Sequence, residues 1–422
     1  VRKVWLGLIL CATAFTSALS AIAIAQELDP RRPRTLTVGA PQGASIGPRG
    51  GGARTGRAED PLPRGALHLA WPRKSLNVTV EHPPLVRVDG TIIVVTSRGD
   101  AYFIDGADGN ETAKVATAEP PASAPILLSS GRVAYLATSG RAVVLSSERV
   151  HSTFVVARDR PGHVAPIATV DGGFVVATAQ ELVACDSEGR PRHRAKLPFS
   201  PVGALLSNGR DVLAIVANGE VLAWIPGDVE AARVGSFEGP VDGNASLSRG
   251  LLHGVVRGSQ LVTLDLLHGG GSSVRAVAPT GVFLGPPAVR SSGAIGLLQY
   301  TATNTIAVTF EPDGSDGVRV NVGTRPPSTQ PDGGATAIVA PPHSGSIVDD
   351  EQGMAFMTPE GQIGVVSSGG VDTLGESACG TSVGRRAIGQ LAPAGKGSFV
   401  VACETGTVVK VVSTQTSSKP SP

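Results

Sequence analysis

A glycine-bearing turn returns along this 422-residue chain at a spacing that only a repetitive fold sustains. The anchors are Gly90, Gly131, Gly172, Gly209, Gly250, Gly293, Gly353 and Gly397, separated by 41, 41, 37, 41, 43, 60 and 44 residues. Each precedes a short apolar run such as TIIVVTS, RVAYLAT, GFVVATA or SFVVACE, rich in the β-branched residues that suit strands. A second turn glycine follows in most copies (Gly99, Gly140, Gly219, Gly258, Gly361 and Gly406), where a tight hairpin needs positive φ. Gln180 and Asn304 stand there in the third and sixth copies, so looser hairpins are expected. A further strand then follows each turn, as in DAYFID, ELVACD and TVVKVV. A period of about 40 residues with four short strands is a propeller blade. The expected fold is all-β: an eight-bladed β-propeller of four-stranded antiparallel blades over residues 66–413.

Closure of the ring is legible too. The eighth copy has three strands and then the polar tail 414–422, whereas ALHLAW at 66–71 precedes the first blade without a partner. That N-terminal strand is expected to complete the last blade and remove an exposed edge, with Trp71 packed between blades. Glycine (54) and proline (32) are abundant and charged residues make up only 17%, which suits strands and turns rather than long helices. The one large spacing marks an insertion loop at 322–340, polar and rich in Pro and Gly, which is read equally as a binding element or a tolerated excursion.

The amino terminus reads as an export signal over residues 1–25. Arg2 and Lys3 precede a long apolar stretch that ends on Ala23-Ile24-Ala25, and cleavage is expected after Ala25. A retained anchor is the alternative. Cys11 follows Leu8-Ile9-Leu10, without the small residue that lipid attachment requires. Residues 26–65 have no apolar periodicity and read as a disordered basic Gly/Pro/Arg-rich linker, with seven arginines against Glu27, Asp29, Glu59 and Asp60. Because the net charge of the whole is only +1, the propeller itself is faintly acidic, which argues against nucleic acid as a partner. Localisation is expected to be periplasmic or secreted, as a monomer that is not integral to the membrane once the signal is removed.

Beyond the signal lie Cys185, Cys379 and Cys403. Cys379 and Cys403 are the candidate disulfide, Cys185 is expected to be buried in a strand, and three reduced cysteines are the alternative. No catalytic residue is assigned, since neither C-x-x-C nor H-E-x-x-H occurs. Asp105, Asp186 and Asp265 fall at equivalent places in their copies, so turn formation accounts for them. DGADGNE at 105–111 lacks the spacing of a calcium loop. His82, His163 and His343 each stand 8 to 10 residues before an anchor, where innermost strands begin. They are the candidate rim of the channel, although intervening blades argue against shared metal ligation, and no metal is assigned.

Residues 88–109 best match a pattern P-x-V-x-x-D-G-x-I-Y-V-x-T-x-x-G-x-x-Y-A-L-D, and 166–189 match next. This resembles the repeat of the pyrroloquinoline-quinone-like (PQQ-like, or quinoprotein-like) propellers. Among eight-bladed members the chain is most similar to the B component of the outer-membrane β-barrel assembly machinery, a non-enzymatic scaffold. The resemblance implies an exported scaffold that mediates protein–protein interaction in the cell envelope, with envelope or outer-membrane proteins as partners. The same family contains quinone-dependent oxidoreductases, which use a stacking tryptophan and commonly adjacent cysteines. Here only Trp71 and Trp224 lie beyond the signal and no cysteines are adjacent, so no cofactor is expected and any cofactor-binding residues are unknown. A diverged quinone-dependent oxidoreductase and a glycan-binding propeller are the alternatives. The family's assembly factor is usually lipid-anchored, which this chain does not match, and its blade-docking tryptophan survives only as Trp71, with Ala113 and His193 near equivalent places.

Overall fold

The computed structural model describes residue 47 and residues 53–324, 346–359, 361–375, 378–379, 389–395 and 397–414. The expectations for residues 1–25, for the cleavage site and for 415–422 lie outside the described residues. Eight antiparallel sheets follow one another in chain order, each a blade of four strands, with the short Lys74–Ser75 pairing additionally on the outer edge of the last. In blade 1, Leu85–Val86 is innermost, followed outward by Ile92–Val95, Asp100–Ile104 and Glu111–Ala116. Innermost strands vary in length, from two buried residues in blade 1, where Leu85 and Val86 are 0% exposed, to the eight of Val282–Val289 in blade 6. The two middle strands of each blade are almost wholly buried, since both faces pack against neighbouring blades, so they read as continuous apolar runs rather than alternating ones.

Closure occurs as the sequence implies. The eighth blade holds Gly389–Gly395, Ser398–Cys403 and Thr407–Ser413, and its fourth strand is Leu67–Leu69 from the other end of the chain, paired antiparallel with Thr407–Ser413. Trp71, 5% exposed, packs among Ile92, Val94 and Ile104 of blade 1 and Val400 and Val408 of blade 8. Its ring sets the residue at the end of the turn after Asp105. A Cβ on Gly109 (φ +75) would stand 2.6 Å from Trp71 Cδ2.

The hairpins explain both the glycines and their absences. In blade 1, Thr96 N–H donates to the Asp100 carbonyl (2.9 Å) around a three-residue loop whose last member, Gly99, has φ +86. Blades 3 and 6 were expected to be looser at this point and are instead tighter by one residue. Thr178 N–H donates to Glu181 O (2.8 Å) and Thr301 N–H to Asn304 O (2.9 Å). No residue of these two-residue loops has positive φ. The threonine hydroxyl accepts the loop amides (Glu181 N at 3.0 Å, Asn304 N at 2.9 Å), so the glycine is dispensable. In blade 7 the left-handed residue is Gln352 (φ +71) rather than the anchor Gly353.

The expected linker at 26–65 and loop at 322–340 are both redrawn at their borders. Residues 53–65 are tied to the ring by hydrogen bonds described below, so disorder does not extend over them. A polar segment needs no apolar periodicity to be ordered when its backbone groups find partners on strand edges. Val322, Gly323 and Thr324 belong to Asp316–Thr324, the outer strand of blade 6, and residues 325–345 lie outside the described residues.

Candidate functional site

The innermost strand of every blade presents one edge to the axis, with backbone N–H and C=O groups that its own sheet does not pair. Pro166, Leu205, Ser246 and Pro287, one from each of blades 3 to 6, are gathered around Arg54 by the hydrogen bonds given below. In blades 2 to 4 the wall is lined by alanines, Ala124, Ala165 and Ala204, which pack on one another. Ala165 and Ala204 also form a parallel bridge between blades.

Along blades 5 to 7 the chain itself covers the wall. Leu247 N–H donates to the Ala53 carbonyl (2.8 Å), Val289 N–H to Thr55 (2.8 Å) and Val348 N–H to Gly56 (2.9 Å), and Ala58 N–H donates to Val348 (2.7 Å). These four bonds take up edges on three successive blades. Between them Arg54 turns inward with φ +53 and is 2% exposed. Its Nε donates to Leu205 O (3.2 Å) and its Nη2 to Pro166 O, reaching back to blades 4 and 3. The Ser246 hydroxyl lies 2.7 Å from the Arg54 carbonyl and 2.5 Å from that of Pro287. Burial lowers the guanidinium to about 10, which leaves it charged at neutral pH. Buried Gly47 lies against Ile126 of blade 2.

The segment then leaves the axis beneath blade 7. Leu62 N–H donates to buried Asp349 (2.7 Å), Arg64 approaches the same carboxylate and Glu351, and Gly65 N–H donates to Asp372 (2.8 Å). Ala58, Leu62 and Leu67 pack with Phe399, Val401 and Cys403 between blades 7 and 8. Cys379 and Cys403 are disulfide-bonded in that cluster, with Cα atoms 5.5 Å apart. Cys185 is free and buried, and burial pushes its thiol up to about 12, so it is no nucleophile.

Of the rim histidines, His163 is exposed, with Nδ1 3.1 Å from the Ala122 carbonyl of blade 2, and His82 is half-buried. His343 lies outside the described residues, so the three-histidine rim is not assembled among them. No group of three or more potential metal ligands occurs among the described residues. The repeat aspartates make turns. Asp105 accepts from Ala107 N (2.7 Å), Asp186 from Glu188 N and Arg190 N, and Asp265 from Leu267 N and His268 N. His268 and the turn amides hold Asp265 below the usual carboxylate range.

Two features escape sequence reasoning. A cavity of about 140 Å³ opens between blades 5 and 6 beside Arg249, Arg275, Glu311 and His253. His253 is buried on blade 5 with Nδ1 2.9 Å from Thr263 Oγ1, and desolvation, with Arg275 nearby, lowers it to about 4, so it is neutral at pH 7. Its lining comes from separate copies and has no shared pattern. The second is the sequence G-x-S-x-G, which occurs at 43–47 and again at 380–384 and which the assignment of no catalytic residue passes over. Both serines lie outside the described residues.

No protein-family model matches the chain, and neither does any curated protein. Solved structures do. BamB from Moraxella catarrhalis aligns with a TM-score of 0.56 at 14% identity, over 82% of this chain and 98% of that one. The computationally designed Ika8 protein aligns at 0.61 and 11%, over 81% and 98%. Quinohemoprotein alcohol dehydrogenase from Comamonas testosteroni aligns at 0.62 and 12%, over 89% and 82%. At these identities the likeness is one of fold alone, that of a β-propeller. No described helix is long and apolar enough to cross a membrane.

Proposed function

We propose that this chain is an exported, non-catalytic propeller scaffold that presents its loops to proteins of the cell envelope. Outer-membrane protein assembly is the setting that the likeness to BamB favours. The observation that carries this reading is the occupied axis. Innermost strands of all blades converge there, so it is where a ring can gather side chains from many repeats into one site. In this chain it is taken by residues 53–58, with Arg54 buried against the carbonyls of Leu205 and Pro166. What is left for recognition is the loop-bearing surface, broad and held rigid by eight packed blades. The asparagine and aspartate turns there are self-satisfied, as at Asn208 and Asp211 (2.9 Å), and are suited to contact rather than chemistry.

The likeness to quinohemoprotein alcohol dehydrogenase sustains the competing reading of a quinone-dependent oxidoreductase. Affinity purification of the full chain from envelope extracts, with mass spectrometry, separates the two. Recovery of outer-membrane assembly proteins is the expected result. Quinone-dependent dye reduction by the reconstituted protein, with no envelope protein recovered, would overturn the scaffold.

A further inference from the structure

Residues 53–58 cross the inner edges of blades 5 to 7 by main-chain bonds, as a turned segment in which Arg54 (φ +53) and Gly56 (φ +63) are left-handed. Main-chain bonds at Ala53, Thr55, Gly56 and Ala58 supply attachment without regard to side chain. One side chain, that of Arg54, points into the wall and is the only long one to do so in this stretch. Its neighbours Ala53, Thr55 and Gly56 are small, as the narrow axis demands, and Gly56 takes φ +63. Arg57 is half-exposed and reaches Asp350 at 3.8 Å.

The wall residues that hold the segment also pair within their own blades. Leu247 is fixed by pairing with Leu252, Val289 with Ile295 and Val348 with Met354, each inside its own blade. Pro166 and Leu205 come from two further blades, so the carbonyls that receive the guanidinium are set by the ring alone. A surface of donors and acceptors from five blades that holds a polar segment belonging to no blade is a binding site already filled.

We propose that the axial wall of blades 3 to 7 is a peptide-binding cleft for a short turned segment bearing an arginine between small residues, and that residues 53–58 are its cis occupant. Specificity lies in the arginine, because two carbonyl acceptors from different blades match a planar multi-donor head that no other side chain supplies. The tether keeps the cis segment at high effective concentration, so a peptide in trans enters only when that segment is released. The proposal shares its observation, the occupied axis, with the scaffold reading, which describes the ring while the cis segment is in place, and failure to recover envelope proteins leaves it untouched.

The test uses the full chain with a protease recognition sequence inserted between Asp60 and Pro61, in the exposed stretch that leaves the axis. After cleavage, a fluorescein-labelled peptide of residues 53–60 (ARTGRAED) is titrated and its anisotropy followed. The cut protein should take up the peptide saturably and the uncut protein should not. Arg54→Ala in the peptide should weaken uptake by at least about tenfold, the loss expected for a charged group's buried hydrogen bonds, and Arg57→Ala by much less. No saturable uptake by a cut ring with an unchanged far-UV spectrum, or equal uptake of the Arg54→Ala peptide, overturns the proposal. Should cleavage unfold the ring, hydrogen exchange on the uncut Arg54→Ala chain decides. The amides of Leu247, Val289 and Val348 should exchange at least about tenfold faster than in the wild type and slow again with added peptide. Unchanged exchange at all three overturns it equally.

Discussion

Two stretches of the same N-terminal region bind the same ring in opposite ways. Leu67–Leu69 joins the outer edge of blade 8, next to a tryptophan that packs on blade 1, and it behaves as a displaced part of the eighth repeat. Residues 53–58 join the inner edges of blades 5, 6 and 7 and belong to no repeat. The outer contact is carried by apolar burial, with Leu67 and Trp71 both in core clusters. The inner contact is carried by backbone bonds and a single buried cation. Burial of a large side chain is worth more than an equal number of hydrogen bonds, because a hydrogen bond made on folding replaces one to water. The outer strand therefore closes the ring, while the inner segment fills it.

Substitutions can break this contrast, the largest effect falling on the outer side. Trp71→Ala empties the contact between blades 8 and 1 and should cost about 3–5 kcal/mol, read as a lowered denaturation midpoint in urea. An equal or smaller loss than for Arg54→Ala would reverse the ranking of the two stretches. The disulfide comes next, since it closes a 24-residue separation at the border where both stretches pack. Replacing Cys379 and Cys403 with alanine should cost about 3 kcal/mol by the loop-closure argument, measured in the same way.

Arg54→Ala strands the carbonyls of Leu205 and Pro166 and should cost about 1–3 kcal/mol. Arg54→Met, which removes the charge but keeps the stem, should recover part of that, because the stem fills space that the alanine leaves empty. A Met variant less stable than the Ala variant would argue against a backbone-carried inner contact. The smallest effect is on pH. His253 pairs in register with Ser246, whose hydroxyl touches Arg54, and its own ring bonds Thr263 within blade 5. Its pKa is lowered in the fold to about 4, so the unfolded chain binds a proton that the folded chain refuses, and stability falls as pH drops from about 6.5 toward 4. The loss at pH 5.5 should be about 1 kcal/mol and should vanish in His253→Asn, as followed by thermal melts across pH.

The repeats were legible because a blade is local. Each strand pairs with its chain neighbour, so spacing, turn glycines and apolar runs carry the whole instruction. Closure was legible for the same reason in reverse, since a repeat short of one strand and a strand short of a repeat point to each other. The turns were read less well where they lacked glycine. Thr178 and Thr301 satisfy their loops through a hydroxyl, and nothing in a spacing count distinguishes that from a missing turn. The rim of His82, His163 and His343 rests on equivalent positions in their copies, and His343 lies outside the described residues.

By itself the sequence determined an all-β ring of eight blades, its closing strand and the structural use of Asp105, Asp186 and Asp265. Only the tertiary structure decided that a stretch reading ARTGRA lies buried on the axis. Its composition is that of a solvated spacer, and its order comes from inner strand edges supplied by residues about 110 to 290 positions away. Such pairing leaves no periodicity behind, because backbone groups are the same in every residue.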